Sequence, residues 1–412
     1  MSESDKAVAD TDLRRKLVVC CDGTWNKPFE DGGPTNVVKM VRAIRPVDND
    51  SVSQLIYYHP GVGTGNWLDR LMGGTLGIGL SANVQSAYDF VASNYVDGDL
   101  IFLFGFSRGA FTARSLAGLI GLIGLLDKKD MDLFPHIYDI YRLGKYRQVL
   151  SIKTKNEMRA ARGDKFARRM SAKDFERMLD ALLLRARPAP IFFIGVWDTV
   201  GSLGIPYGPL RWVGRSMYSF HNTDLSDQVC YAYQALAIDE SRRNFKPTLW
   251  TRAAGRGADK TKRPQTLEQL WFAGVHSNVG GGYPDFALSD VAFLWMVAKA
   301  AGAAEEENPD SPLAFDDEYL KEKIEKTMGL LVNSRTGFWK LLPGYQRPVL
   351  ATPPSGKETC ESIHYSVRAR YDATKETFSP FPYKPDNVAA ALKRQGAVAT
   401  LMALEQKYRP WP

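Results

Sequence analysis

A doubly wound α/β domain on a mostly parallel sheet is the fold class this sequence predicts. Three observations carry it. Short apolar runs alternate with segments whose apolar residues recur at helical spacing, turn residues separate the two, and the runs are continuously apolar rather than alternating. A strand covered by helices on both faces has that continuous character. Strand–helix alternation implies parallel pairing through crossover helices.

Taken in order, "KLVVCCDG" reads as a buried strand, and "TNVVKMVRAI" places Val37, Val38, Val41 and Ile44 on one helical face. "QLIYYHPG" is a second strand. "SANVQSAYDFVASNY" puts Val84, Tyr88 and Val91 on another helical face, and "DLIFLFG" runs straight into the helix-like "AFTARSLAGLIGLIGLL". The sheet resumes with "PIFFIGVWDTVG" and again with "LEQLWFAGVHSNVGGGY". Between these halves, residues 128–187 carry 16 Lys/Arg against 8 Asp/Glu, which accounts for the whole net charge of +7. They read as a basic helical insertion, or cap, over the sheet. The organisation expected is a disordered tail over 1–15, a core over 16–127 and 188–300, and a helical C-terminal extension over 301–412 that packs on the core. The acidic "AAEEENPDSP" marks the last boundary.

A hydrophobic fraction of 44% and a charged fraction of 24% are ordinary for a globular chain. The basic residues are not interleaved with aromatics as in a nucleic-acid surface, so no nucleic-acid partner is expected. Cys20, Cys21, Cys230 and Cys360 have neither metal-site nor disulfide-framework spacing. No cofactor or metal is expected. A polar N-terminus and the lack of an 18-residue apolar run predict a cytoplasmic chain, with signal-less secretion left open.

The chemistry centres on "LIFLFGFSRGAFTARSL". A Gly-x-Ser-x-Gly pattern is weak alone, but here a strand enters it and a helix leaves it. That is the context of a nucleophile elbow, with Gly105 and Gly109 relieving crowding around Ser107. A serine hydroxyl needs a base, and the base an orienting acid. Of five histidines, His276 stands just past a strand beside flexible glycines, whereas His59 precedes the serine. Asp198 ends the run "IFFIGVWDT". The order Ser107, Asp198, His276 is that of α/β-hydrolases, and Asp239 is a reserve acid. The oxyanion donors expected are the N–H of Arg108 and one from Gly23 or Thr24, although Asp22 and Thr24 could instead shape their loop.

With "CDGTWN", "GFSRGAFTAR", "GVWDTVGS", "AIDESRRNFKP", "GVHSNVGGGYPD" and "IHYSVRARY" in one order, the chain resembles an α/β-hydrolase domain family that includes phospholipase effectors of bacterial type VI secretion. The resemblance spans about residues 16–371. It implies Ser107, Asp198 and His276 as the triad and a lipid ester as substrate. Asn278 stands where similar "GVHSDVGGGY" motifs carry aspartate, which bears on a supporting residue. The leading expectation is a serine esterase of phospholipase A or lipase type, with peripheral contact to anionic membrane. Soluble-ester or thioester hydrolysis, acyl transfer, or a non-catalytic lipid- or protein-binding module are the alternatives. Acyl preference, oligomeric state and any immunity or carrier protein are not encoded in readable form.

Overall fold

The computed structural model describes residues 14–23, 32–61, 76–135, 137–138, 184–200, 223–258, 264–307, 313–323, 329–341, 343–373, 382–394 and 396–408. Most of the basic insertion therefore lies outside the described residues. Seven strands form one sheet: β1 (Lys16–Cys21), β2 (Gln54–His59), β3 (Leu100–Phe106), β4 (Ile191–Trp197), β5 (Val229–Ala237), β6 (Thr266–Phe272) and β7 (Glu361–Ile363). Their order is 2-1-3-4-5-6-7, and every pairing is parallel. A short antiparallel ribbon pairs Arg252–Ala253 with Lys357–Glu358.

Parallel pairing explains the continuous apolar runs. All residues of β1, β3, β4 and β5 are buried, whereas the edge strand β2 is mostly half-buried. Within each strand the side chains alternate between two layers. Leu17, Val19, Ile101 and Leu103 pack with the helices α2 (Leu76–Asn94) and α3 (Arg108–Ile123). Val18, Cys20, Phe102, Phe104 and Trp197 pack against α1 (Asn36–Ala43) and α5 (Ala287–Glu307), the helix that follows the short α4 (His276–Gly280). Each fully buried large apolar side chain here contributes about 1.5–3 kcal/mol of transfer free energy. This two-layered cover on a parallel sheet is the predicted α/β-hydrolase-like architecture.

Two elements of the core are absent from the sequence reading. β5, "VCYAYQALA", has a single β-branched residue and three alanines, which strands disfavour, and a glutamine interrupts its apolar run, so its strand signal is weak. Gln234 is nonetheless fully buried, and its Nε2 donates to Thr248 O at 3.3 Å. Helix α5 is apolar on nearly every side and runs on through Glu307, past the start of the expected acidic boundary. The stretch beyond residue 300 also supplies β7, pairing with β6 through Trp271 and Ile363.

The chain places β2 on one side of β1 and β3 on the other, so the sheet reverses its direction of growth at β1. The C-terminal ends of β1 and β3, in register at Cys21 and Gly105, face the crevice where α/β sheets bind ligands. All four cysteines are free thiols. Among the described residues no helix is long and apolar enough to cross a membrane, and no cluster of three or more metal-ligating side chains occurs.

Candidate active site

β3 passes into α3 through a turn with Ser107 at φ 58°, ψ −118°. Such a backbone costs about 1–3 kcal/mol and persists only where the surroundings over-determine it. The packing shows what does so. A Cβ on Gly105 would lie 2.5 Å from Gly109 O, and one on Gly109 would lie 2.0 Å from Cys21 O. Both glycines of the motif are therefore required by close backbone approach. Ser107 N–H donates to Trp197 O at 3.1 Å, extending the β3–β4 ladder into the turn. The hydroxyl is half-buried at the N-terminus of a sixteen-residue helix, whose first N–H groups favour negative charge.

Asp198 follows β4 with φ 40° and is fully buried. Its backbone N–H donates to Ala235 O at 2.7 Å, and its Oδ1 accepts from Ala237 N–H at 3.1 Å. His276 opens α4 directly after β6 and is 5% exposed. The structure brings the three together: His276 Nε2 lies 2.8 Å from Ser107 Oγ, and Nδ1 lies 2.6 Å from Asp198 Oδ2. The imidazole sits between the rings of Phe106 and Phe245, with centroids at 4.7 and 5.0 Å. Three side chains from the ends of three strands thus form one hydrogen-bonded line that opens outward only at the serine.

Burial alone would push the Asp198 carboxyl up. Arg347 and His276 overcome that and hold it well below the ordinary carboxylate range. Arg347, fully buried, donates from Nη1 to Oδ1 at 2.6 Å and from Nη2 to Oδ2 at 3.0 Å. It also reaches Ala237 O at 2.7 Å and Phe245 O. Behind the imidazole, Glu240 accepts the His276 backbone N–H at 3.3 Å and the Arg242 side chain at 2.9 and 2.8 Å. Burial raises this carboxyl, Arg242 lowers it, and the net shift is downward.

The reserve acid Asp239 makes different contacts. It accepts Gly274 N–H at 2.6 Å and the Tyr383 hydroxyl at 3.1 Å. Burial pushes its carboxyl up to about 6. His59 ends the edge strand β2, and its carbonyl accepts Asp22 N–H at 2.9 Å. Asp22 shapes the loop after β1 by accepting from Gly23 N–H at 2.6 Å, Thr35 Oγ1 at 2.8 Å and the Tyr58 hydroxyl at 3.0 Å. Thr24 lies outside the described residues. Arg108 is the first residue of α3, where backbone N–H groups point out of the helix N-terminus. Asn278 Oδ1 accepts Val275 N–H and Val332 N–H, both at 3.3 Å, while Nδ2 donates to Leu330 O at 3.2 Å. An aspartate there would have no donor for that carbonyl.

Sequence reasoning did not find Arg347 or the Glu240–Arg242 pair as site residues. The pair lies inside "AIDESRR", read as scaffold, where an acid and a base two residues apart are visible. Arg347 follows a loop and has no local signal.

A serine held on a strand–helix elbow above a parallel sheet, beside a buried His–Asp pair, defines the α/β-hydrolase class. Residues 15–299 match the family described as type VI secretion system (T6SS) phospholipase effector Tle1-like, catalytic domain, and the chain belongs to that family. That family is described as one of phospholipase effectors. The uncharacterized protein YEL023C of Saccharomyces cerevisiae is 29% identical over 256 residues, covering 58% of this chain. This chain spans about a third of that relative, 33%. Among solved structures, the Tle1 effector bound to the VgrG spike of the type 6 secretion system is 18% identical. It covers 66% of this chain and 52% of its own, at a TM-score of 0.34. An uncharacterized protein from Pseudomonas aeruginosa, also 18% identical, covers 74% and 47% at 0.37.

Proposed function

We propose that this chain hydrolyses acyl esters of phospholipids through Ser107, His276 and Asp198. The unbroken Ser107–His276–Asp198 hydrogen-bonded line, with the serine alone half-exposed, carries the reading. Ser107 Oγ attacks the acyl carbonyl carbon as its proton passes to His276 Nε2, and a tetrahedral oxyanion forms. The Arg108 N–H at the start of α3 is the oxyanion donor we assign; Gly23 N–H is engaged by Asp22 Oδ1 at 2.6 Å, and Thr24 lies outside the described residues. Losing one such donor typically costs about 3–4 kcal/mol of transition-state stabilisation. Collapse breaks the ester C–O bond, and His276 protonates the departing alcohol oxygen. Water then attacks the acyl-enzyme, giving its proton to His276. The second collapse frees the fatty acid and returns that proton to Ser107. Asp198 holds Nδ1–H and stabilises the transient imidazolium.

The basic composition of residues 128–187 favours an anionic lipid surface. Docking on a VgrG-type spike, the arrangement of the solved Tle1 effector, is the carrier proposal for this chain, and co-purification tests it. The decisive experiment is hydrolysis of phospholipid liposomes beside soluble p-nitrophenyl esters, for wild type and Ser107→Ala, with fluorophosphonate labelling of both. The expected result is wild-type activity on liposomes that falls by roughly 10⁶-fold in the variant. Liposome hydrolysis that survives Ser107→Ala would sink the triad. Labelled Ser107 with turnover only on soluble esters would sink the phospholipid reading.

A further inference from the structure

The orienting acid of the site has a buried cation on both oxygens, and that cation comes from outside the family-matching segment. Arg347 lies 48 residues beyond residue 299, where the match ends. Its guanidinium meets both oxygens of Asp198, including the Oδ2 that accepts from His276 Nδ1. We propose that Arg347 is a positioning residue for catalysis: its fork keeps Asp198 ionised and fixes the carboxylate plane so that Oδ2 faces the imidazole. The proposal rests on the triad reading above.

The physical argument has three parts. A fully buried carboxylate without a cation takes up a proton instead of staying charged, and a protonated Asp198 would stabilise an imidazolium poorly. A bidentate guanidinium supplies charge and also sets a plane, which an ammonium does not. Arg347 is itself held on several sides. Ala237 O and Phe245 O accept from the guanidinium, and Arg347 O accepts from Asn387 Nδ2 at 3.0 Å. Phe245 in turn lays its ring against His276. One side chain thus links the ends of β4 and β5 to the wall behind the base.

The pair could instead be a structural ion pair, and buried pairs are weak evidence of stability as such. The pH profile separates the two roles. The titratable and charged groups facing this centre are His276 and Arg347 on Asp198, Glu240 with its partner Arg242 behind His276, and Asp239, which also senses Arg347 and Arg370. Arg242 is held by Glu240, and Glu240 and Asp239 are themselves acids, so none of the three replaces Arg347. Removing Arg347 removes a cation that lowers Asp198 and leaves the burial that raises it. The pH at which activity is half lost on the acid side must then rise.

The test measures kcat and KM across the acidic range for wild type, Arg347→Lys, Arg347→Met, Arg347→Ala and Ser107→Ala, with thermal unfolding of each. For Arg347→Met the expected result is a kcat lower by roughly 100-fold or more, with KM little changed. Its acidic limb should move up by about 1–3 pH units. Arg347→Lys retains the charge, so it should keep the limb closer to wild type while losing kcat through the missing fork. Adding guanidinium ion to Arg347→Ala should restore part of the rate. A folded Arg347→Met with the wild-type limb, or a loss confined to KM, would overturn the proposal. If Arg347→Met does not fold, Arg347→Lys decides alone, and a wild-type kcat there would overturn it. Activity surviving in Ser107→Ala would overturn the triad instead, so the two failures are distinguishable.

Discussion

Two carboxylates stand at the ends of adjacent strands and behave oppositely. Asp198, after β4, is held well below the ordinary range, whereas Asp239, just past β5, is pushed up to about 6. Burial acts on both in the same direction. What differs is the partner: Asp198 has a buried guanidinium on both oxygens, and Asp239 has a backbone N–H and a phenol. Neutral donors satisfy hydrogen bonds without offsetting the loss of water around a charge. A formal positive charge at contact does offset it. The contrast separates a site that keeps its charge from one that sheds it as pH falls through about 6.

The largest expected effect comes from erasing the charge that is kept. Asp198→Asn should lower kcat/KM by about 10⁴-fold, because the amide no longer holds the productive tautomer. Asp239→Asn, similar in shape to the protonated acid, should stay within about tenfold of wild type. Liposome kinetics on both variants checks the pair, and equal losses would erase the distinction.

Stability against pH sharpens it. Asp239 has its folded value raised from 3.8 to about 6. Its carboxyl therefore favours folding below pH 3.8, and that contribution is lost as pH rises towards 6. Above pH 6, Asp239→Asn should be more stable than wild type by on the order of 1–3 kcal/mol, and the gain should vanish under stronger acid. Asp198, with a depressed value, contributes stability above its unfolded value that is lost as pH falls through the folded one. Thermal unfolding of the Asp239→Asn variant over the acidic range would show the predicted convergence, and a constant offset would contradict it.

The smallest effect concerns the supporting amide. Asn278→Asp removes the donor to Leu330 O while keeping the acceptor for Val275 and Val332. It should cost roughly 1 kcal/mol, read by denaturant unfolding. A stabilised variant would mean that the aspartate seen in similar motifs fits this pocket as well.

Much of this architecture is legible in one dimension because parallel strands are buried on both faces. "LIFLFG" and "IFFIGVW" announce themselves, and Ser107, Asp198 and His276 each follow such a run or stand a few residues past it. β5 escapes because Ala, Cys and Gln234 occupy a strand whose burial comes from its neighbours, not from its own composition. Arg347 escapes for a different reason. It meets Asp198 across 149 positions, and no spacing rule links residues joined only by topology. Asp22 sits between the two cases: its place in a tight loop is readable, but its contacts with Thr35 and Tyr58 are not.

Arg347 follows Ser107 by 240 residues, and this separation has a consequence during synthesis. At roughly 5–20 residues per second, the nucleophile is made about 12–48 s before the guanidinium that completes its acid. Contacts so distant in sequence close late, so over those 240 residues of synthesis the growing chain has an elbow but no compensated dyad. Fluorophosphonate labelling of ribosome-stalled chains, ending before and after Arg347, would date the onset of reactivity. On the proposed triad, the chain would then stay inert towards esters until residue 347 has been made.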